Sequence, residues 1–212
     1  MNHRPFRFLL SVLWIGGLVG CGGGGGDSGL QNSDPGSNNL SVVVAFGDSI
    51  TQGSQCRCVP YPARLAALIG KTVINTGVGA TISTENIDRN QAAIDRFQPA
   101  FMLILYGVND VIHSYEINSI VEALDRMITI CEASHVVPVL ATYPEPIQDH
   151  AIFAPRTLHL NLRIRELATA RGIKCVDLEP EFAANPEFYE PDGLHPNDAG
   201  TQIIALAFAD LF

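Results

Sequence analysis

Five short apolar runs, 42–45, 72–75, 101–106, 136–141 and 174–178, are separated from one another by stretches with helical spacing. Runs this short, rich in Val and Ile and apolar at consecutive positions, suit strands buried on both faces. Between the first two runs, Leu65, Leu68 and Ile69 share one helical face before Gly70 stops the turn. A second helix is expected over 85–97, closed by Pro99. The clearest stripe is Ile117, Ile120, Val121, Leu124, Met127, Ile128 and Cys131, which recur at intervals of three and four. A fourth helix over 155–171 carries Leu158, Leu162, Ile164 and Leu167, and a last one is capped by Asn197 and runs through Ile203, Ile204, Leu206 and Phe208. Strands and helices alternating in this way predict an α/β fold: a three-layer α/β/α sandwich on a five-stranded parallel sheet, with flavodoxin-like strand order. The sequence shows no internal repeat and no second domain.

The first residues do not belong to that pattern. Arg4 and Arg7 precede an apolar run over 8–19, too short for a membrane span of roughly 20 residues and suited to a signal peptide over 1–20. The run ends in Leu18-Val19-Gly20-Cys21, which resembles the lipobox of bacterial lipoproteins and implies acylation of Cys21. Residues 21–39 then form a Gly-, Ser- and Asn-rich tether, and the folded domain is expected over 40–212. A flexible chain of that length reaches roughly 24 Å, enough to hold a domain just off a membrane. The glycine run lacks the Gly-Lys-Ser/Thr of a phosphate-binding loop. Gly22 after the lipidated cysteine lacks the Asp that marks inner-membrane retention. The expected location is therefore the cell envelope, in the outer membrane if the source has one.

Cleavage before Cys21 removes Arg4 and Arg7 and no acidic residue, moving the formal charge from −9 to −11. An acidic domain excludes nucleic acid as a partner, because phosphate binding relies on clustered Lys and Arg. It also disfavours electrostatic docking on anionic lipid, so the acyl anchor alone would supply membrane attachment. Cys56, Cys58, Cys131 and Cys175 allow three disulfide pairings in an exported protein. Cys56-Arg57-Cys58 without a matching second pair is not a zinc site, and no metal is expected.

In open parallel sheets ligands bind at the carboxyl ends of the strands. Those ends carry Gly47-Asp48-Ser49, then Gly77 and Gly79, then Asn109, and the loop before the last helix carries Asp192-Gly193-Leu194-His195. A serine nucleophile needs a base within hydrogen-bond reach and an acid to orient it. Asp192 and His195 are close enough for one turn to set carboxylate beside imidazole, with Ser49 as the attacking group. Negative charge developing on the substrate needs donors. The Ser49 N–H, a backbone N–H of the glycine loop and the Asn109 amide can supply them. Each motif alone has a plainer reading: a helix-capping serine, a surface turn at Asp192–His195, a turn asparagine at Asn109.

As a set they resemble the SGNH/GDSL hydrolase superfamily. Its four blocks read here Gly47-Asp48-Ser49-Ile50-Thr51, Asn75-Thr76-Gly77-Val78-Gly79-Ala80, Gly107-Val108-Asn109-Asp110 and Asp192-Gly193-Leu194-His195. They occur in the family's order and spread over the whole domain. The resemblance implies an ester hydrolase working through an acyl-enzyme on Ser49, with His195 as base, Asp192 as its orienting acid, and neither metal nor organic cofactor. Activity would rise with pH as His195 loses its proton. One departure stands out: family members often place the donor glycine five residues after the Asn that opens the second block, where this chain has Ala80. A backbone N–H survives, while the methyl group narrows the site toward small acyl groups. The oxyanion donors expected are thus Ser49, Gly79 or Ala80, and Asn109.

Within the family, G-D-S-I-T starts occur in carbohydrate deacetylases, and other members act as arylesterases, thioesterases or lysophospholipases. Substrates expected here are small-molecule or glycan esters. Acyl transfer to an envelope polysaccharide, or glycan binding without catalysis, are the alternatives. Of the other histidines, His113 follows Asn109 as a loop residue at the pocket's edge. His150 and His159 lack an acid at suitable spacing. Asp48 is expected to orient the nucleophile's loop, and Asp110 to be structural.

Overall fold

A computed structural model of the protein describes residues 34–212. The expected signal peptide, Cys21 and nearly all of the tether lie outside the described residues. The chain runs β1 (Asn39–Gly47), α1 (Ser49–Gln52), α2 (Tyr61–Ile69), β2 (Thr72–Asn75), α3 (Ile87–Phe97), β3 (Pro99–Leu105) and α4 (Val108–Ile112). It continues through α5 (Ile117–Ala133), β4 (Val137–Ala141), α6 (Ala154–Arg171), β5 (Lys174–Val176), α7 (Leu178–Phe182) and α8 (Asp198–Ala209). The five strands are parallel in the order β2-β1-β3-β4-β5, the flavodoxin-like order expected.

Alternation along the central strands sorts the core into two layers. Val44 and Phe46 of β1, with Met102 and Ile104 of β3, face α3, α5 and α6, where Ile94, Ile120, Leu124, Met127, Leu160 and Ile164 cover them. Val43, Ala45, Leu103 and Leu105 face the other way onto α2, α7 and α8, meeting Leu65, Phe182, Ile204 and Phe208. α2 and α8 are tied together on that second face, where the Tyr61 and Phe208 rings stack 5.4 Å apart. Because both faces are covered, the strand ends are where the sheet remains open to substrate.

Several boundaries differ from expectation for identifiable reasons. α3 starts at Ile87 because residues 83–85 form a separate 3₁₀ turn, and it stops at Gln98, in the left-handed region at φ 44°. Pro99 opens β3, a first-residue position that needs no N–H in the ladder. β5 ends at Val176 because Asp177 turns the chain into α7. α8 begins as expected at Asn197, whose side chain accepts the Gly200 N–H. Cys56 and Cys58 form a disulfide, which leaves Cys131 and Cys175 as free thiols. Cys131 is buried on the α5 stripe beside Asn90, and burial pushes its thiol up to about 12. Among the described residues no helix is long and apolar enough to cross a membrane.

Candidate active site

β1 delivers the chain to Asp48, a fully buried carboxylate at the N-cap of α1. One of its oxygens accepts the Ile50 N–H (2.9 Å) and the other the Tyr143 hydroxyl (2.7 Å). Burial raises Asp48 to about 6, against the pull of these two hydrogen bonds, which favour the charge. Burial, with the Asp48 charge alongside, also pushes the Tyr143 hydroxyl well up. Ser49 follows as the first residue of α1, its hydroxyl 3.0 Å from Nε2 of His195.

His195 and Asp192 stand on the loop closed by an antiparallel bridge between Tyr189 and Pro196. Nδ1 of His195 lies 2.5 Å from Asp192 Oδ2. A carboxylate only accepts, so Nδ1 carries the hydrogen and Nε2 is free to accept from Ser49. Asp192 Oδ1 accepts the N–H groups of Leu194 (2.9 Å) and His195 (3.0 Å), so the acid is fixed by the loop it fixes. Burial pushes the Asp192 carboxyl up, but the bond from the His195 ring and the two backbone bonds outweigh it and hold the group below the usual carboxylate range. Gly193 in this loop is at φ 70°, and a Cβ there would lie 2.2 Å from the Ile147 carbonyl oxygen. Only glycine lets the loop pack this closely on the chain after β4.

The glycine loop after β2 crosses α1 at close range, since a Cβ on Gly77 would sit 2.3 Å from the Gln52 nitrogen. Asn75 brackets the crossing: its amide donates to the Thr51 carbonyl and its oxygen accepts the Gly77 N–H. The Gly79 N–H, expected as an oxyanion donor, is taken by the Gln52 side-chain oxygen at 2.9 Å. The backbone donor left over is that of the next residue. Among the described residues, the N–H groups of Ser49 and Ala80 make no hydrogen bond within the chain. Ala80 is at φ 59°, a left-handed conformation that suits glycine better. Asn109, on α4, gives one amide hydrogen to the Thr81 carbonyl (3.0 Å) and keeps the other.

Behind these donors runs a chain of bonds with a fixed direction. Arg89 donates to the Tyr106 hydroxyl (2.8 Å) and to the Thr76 carbonyl (2.7 Å). Thr81 gives its own hydrogen to the Val78 carbonyl, so Tyr106 must donate to Thr81. Arg89 therefore braces both the glycine loop and the residue that orients Asn109. Asp110 is buried and accepts from the Ser83 N–H, the Ser83 hydroxyl and the Thr84 N–H, a structural role as expected. His113 caps α4 on the Asn109 carbonyl and is exposed.

Ser49, His195, Ala80 and Asn109 open on one cavity of about 300 Å³. Ile112 and Leu194 give it apolar walls, and Ser54, Gln55 and His150 give it polar ones. Sequence reasoning places Ser49, Asp192, His195, Ala80 and Asn109 at the strand edge, and the fold brings them together. It does not find Tyr143, Gln52, Thr81, Tyr106 or Arg89. Tyr143 alone left a trace, standing just past the carboxyl end of β4, the edge where the other strands deliver their polar residues. Among the described residues no three His, Cys, Asp or Glu side chains gather as metal ligands would.

The profile of the GDSL-like Lipase/Acylhydrolase family matches residues 45–203. No curated protein matches the chain. Among solved structures, a member of the lipolytic protein G-D-S-L family from Veillonella parvula DSM 2008 is 17% identical with a TM-score of 0.70, over 81% of this chain and 97% of that one. The lipase/acylhydrolase from Enterococcus faecalis is 20% identical with a TM-score of 0.69, over 81% and 95%. An acetyl xylan esterase, AlAXEase, is 22% identical with a TM-score of 0.69, over 80% and 98%. At these identities the likeness is one of fold. With about three quarters of its length matched by the family profile, the chain belongs to the GDSL-like lipase/acylhydrolase family and is an ester-hydrolysing enzyme.

Proposed function

We propose that the protein hydrolyses esters of short acyl groups through an acyl-enzyme on Ser49, with His195 as general base and acid and Asp192 as its orienting partner. The support is the continuous line from Asp192 Oδ2 through the His195 ring to the Ser49 hydroxyl, at 2.5 and 3.0 Å. As Ser49 Oγ bonds to the ester carbon, its proton passes to His195 Nε2 and the carbonyl electrons move onto oxygen. The donors available to that oxygen are the Ser49 and Ala80 N–H groups and the second Asn109 amide hydrogen. Such donors are worth roughly 2.7–4 kcal/mol each in the transition state. When the carbon–oxygen bond to the alcohol breaks, His195 returns the proton to the leaving oxygen. Water then repeats the sequence and frees the acid.

The short-acyl preference rests on the Ala80 methyl, Ile112 and Leu194 at the cavity wall. The likeness to an acetyl xylan esterase fits acetyl among such groups. The reading also takes the protein to be exported and held in the cell envelope by a lipid on Cys21. Hydrolysis of p-nitrophenyl esters from acetate upward, beside Ser49→Ala, tests the chemistry. Turnover should fall by at least about 10³-fold in the variant and decline in the wild type beyond butyrate. Unchanged turnover in Ser49→Ala would remove the nucleophile from Ser49. Release of the protein from the membrane fraction by Cys21→Ala tests the anchor.

A further inference from the structure

His150 stands apart from the Ser49–His195–Asp192 line yet borders the same cavity. Its Nδ1 lies 2.7 Å from the backbone carbonyl oxygen of Asp192. A carbonyl only accepts, so Nδ1 carries the hydrogen, and Nε2 of the neutral ring keeps a lone pair. Among the described residues no hydrogen bond from the chain reaches that Nε2. The ring is steadied by Phe153, 6.1 Å away between centroids, and its loop by the Ile147 N–H donating to the Gly193 carbonyl at 2.8 Å. His150 is thus an oriented hydrogen-bond acceptor at the cavity wall.

Its position relative to the reaction selects the half of the ester it can meet. The carbonyl oxygen must face the donors of Ser49, Ala80 and Asn109. The alcohol oxygen must lie beside His195 Nε2, which protonates it as it leaves. His150 is bonded to Asp192, on the same loop as His195, and so belongs to the alcohol side. We propose that His150 is a specificity-determining residue whose Nε2 accepts a hydrogen bond from a hydroxyl next to the ester oxygen. The preferred substrates are then monoacyl esters of vicinal diols, the arrangement that sugars and other polyols present. This rests on the serine-esterase reading above and adds the alcohol half of the substrate to it.

Two esters isolate the contact. 2-Hydroxyethyl acetate and n-propyl acetate share acyl group and chain length and differ by a hydroxyl in place of a methyl. For the full-length protein, kcat/KM should favour the hydroxylated ester about fivefold, the worth of one neutral hydrogen bond. His150→Asn keeps an amide N–H for the Asp192 carbonyl but has nothing at the place of Nε2. Its ratio of the two kcat/KM values should fall to near one, whatever loss the two esters share. His150→Phe, lacking both nitrogens, should show the same ratio. Equal use of both esters by the wild type, or a preference that survives His150→Asn, overturns the inference while leaving the esterase intact. Turnover of neither ester, or turnover that persists in Ser49→Ala, overturns the esterase reading and this inference with it.

Discussion

Replacing Asp48 by Asn should stabilise the protein at neutral pH, although it removes a carboxylate that accepts two hydrogen bonds beside the nucleophile. Burial lifts this group from an ordinary 3.8 to about 6. At about 1.4 kcal/mol per pH unit, that rise corresponds to about 3 kcal/mol of native-state cost once the group is charged. The sign follows from proton binding. Between about 4 and 6 the native protein holds this proton more tightly than the unfolded chain does. Its contribution is therefore favourable at low pH, falls as pH rises through that window and is constant above it. The amide of Asp48→Asn is uncharged throughout. Its oxygen can keep the Ile50 N–H, and its NH₂ can donate to Tyr143 once that hydroxyl turns to accept. Urea unfolding of both proteins from pH 4 to 8 reads the effect, followed by far-UV circular dichroism because the one tryptophan, Trp14, falls in the expected signal peptide. The stability difference, variant minus wild type, should grow by about 2.4 kcal/mol across that range, the rest of the cost lying below pH 4, while titrations common to both proteins cancel. A difference that stays flat, or shrinks as pH rises, would refute the argument that an ionised Asp48 strains the native state.

Two further substitutions probe the donors. Asn109→Ala should lower kcat by about 10²–10³ with little change in KM, because the amide is asked to act on charge present only in the transition state; a loss carried mainly by KM would place Asn109 in substrate binding instead. Ala80→Gly should raise stability by about 0.5 kcal/mol, since relief of the left-handed conformation slightly exceeds the added freedom of the unfolded chain. The same change removes a methyl from the cavity wall, so p-nitrophenyl butyrate should gain on acetate. A stability loss would show that the Ala80 backbone is not strained.

What could be read from the sequence was whatever a short stretch of chain carries by itself. The stripe on α5, the capping Asn197 and the apolar run of β3 are local patterns, and each gave its element to within about two residues. The helices α1, α4 and α7 are too short to show a period, and all three lie in stretches that look like loop. The same division holds at the site. Ser49, Asn109 and His195 sit in motifs whose spacing is visible. The partners that hold them are set by packing between distant segments: Tyr143 on Asp48, Gln52 on Gly79, Arg89 on Tyr106. Gln52 also shows why Gly79 and Ala80 could not be told apart, since the choice of donor depends on a side chain 27 residues away. His150 looked idle for want of a neighbouring acid, because its partner is a backbone carbonyl, and carbonyls carry no residue signature.

The stacking of Tyr61 on Phe208 has a consequence in time. Ser49 and His195 are separated by 146 residues, and the loop bearing His195 leads directly into α8, which must dock on α2 to complete that layer. α8 therefore has to be made before the nucleophile can meet its base. At about 5–20 residues per second, a nascent chain carries Ser49 unarmed throughout the synthesis of the 146 residues that separate it from His195. Every truncation that removes α8 should be equally silent, and a newly made protein acquires its reactivity in the same event that finishes its fold.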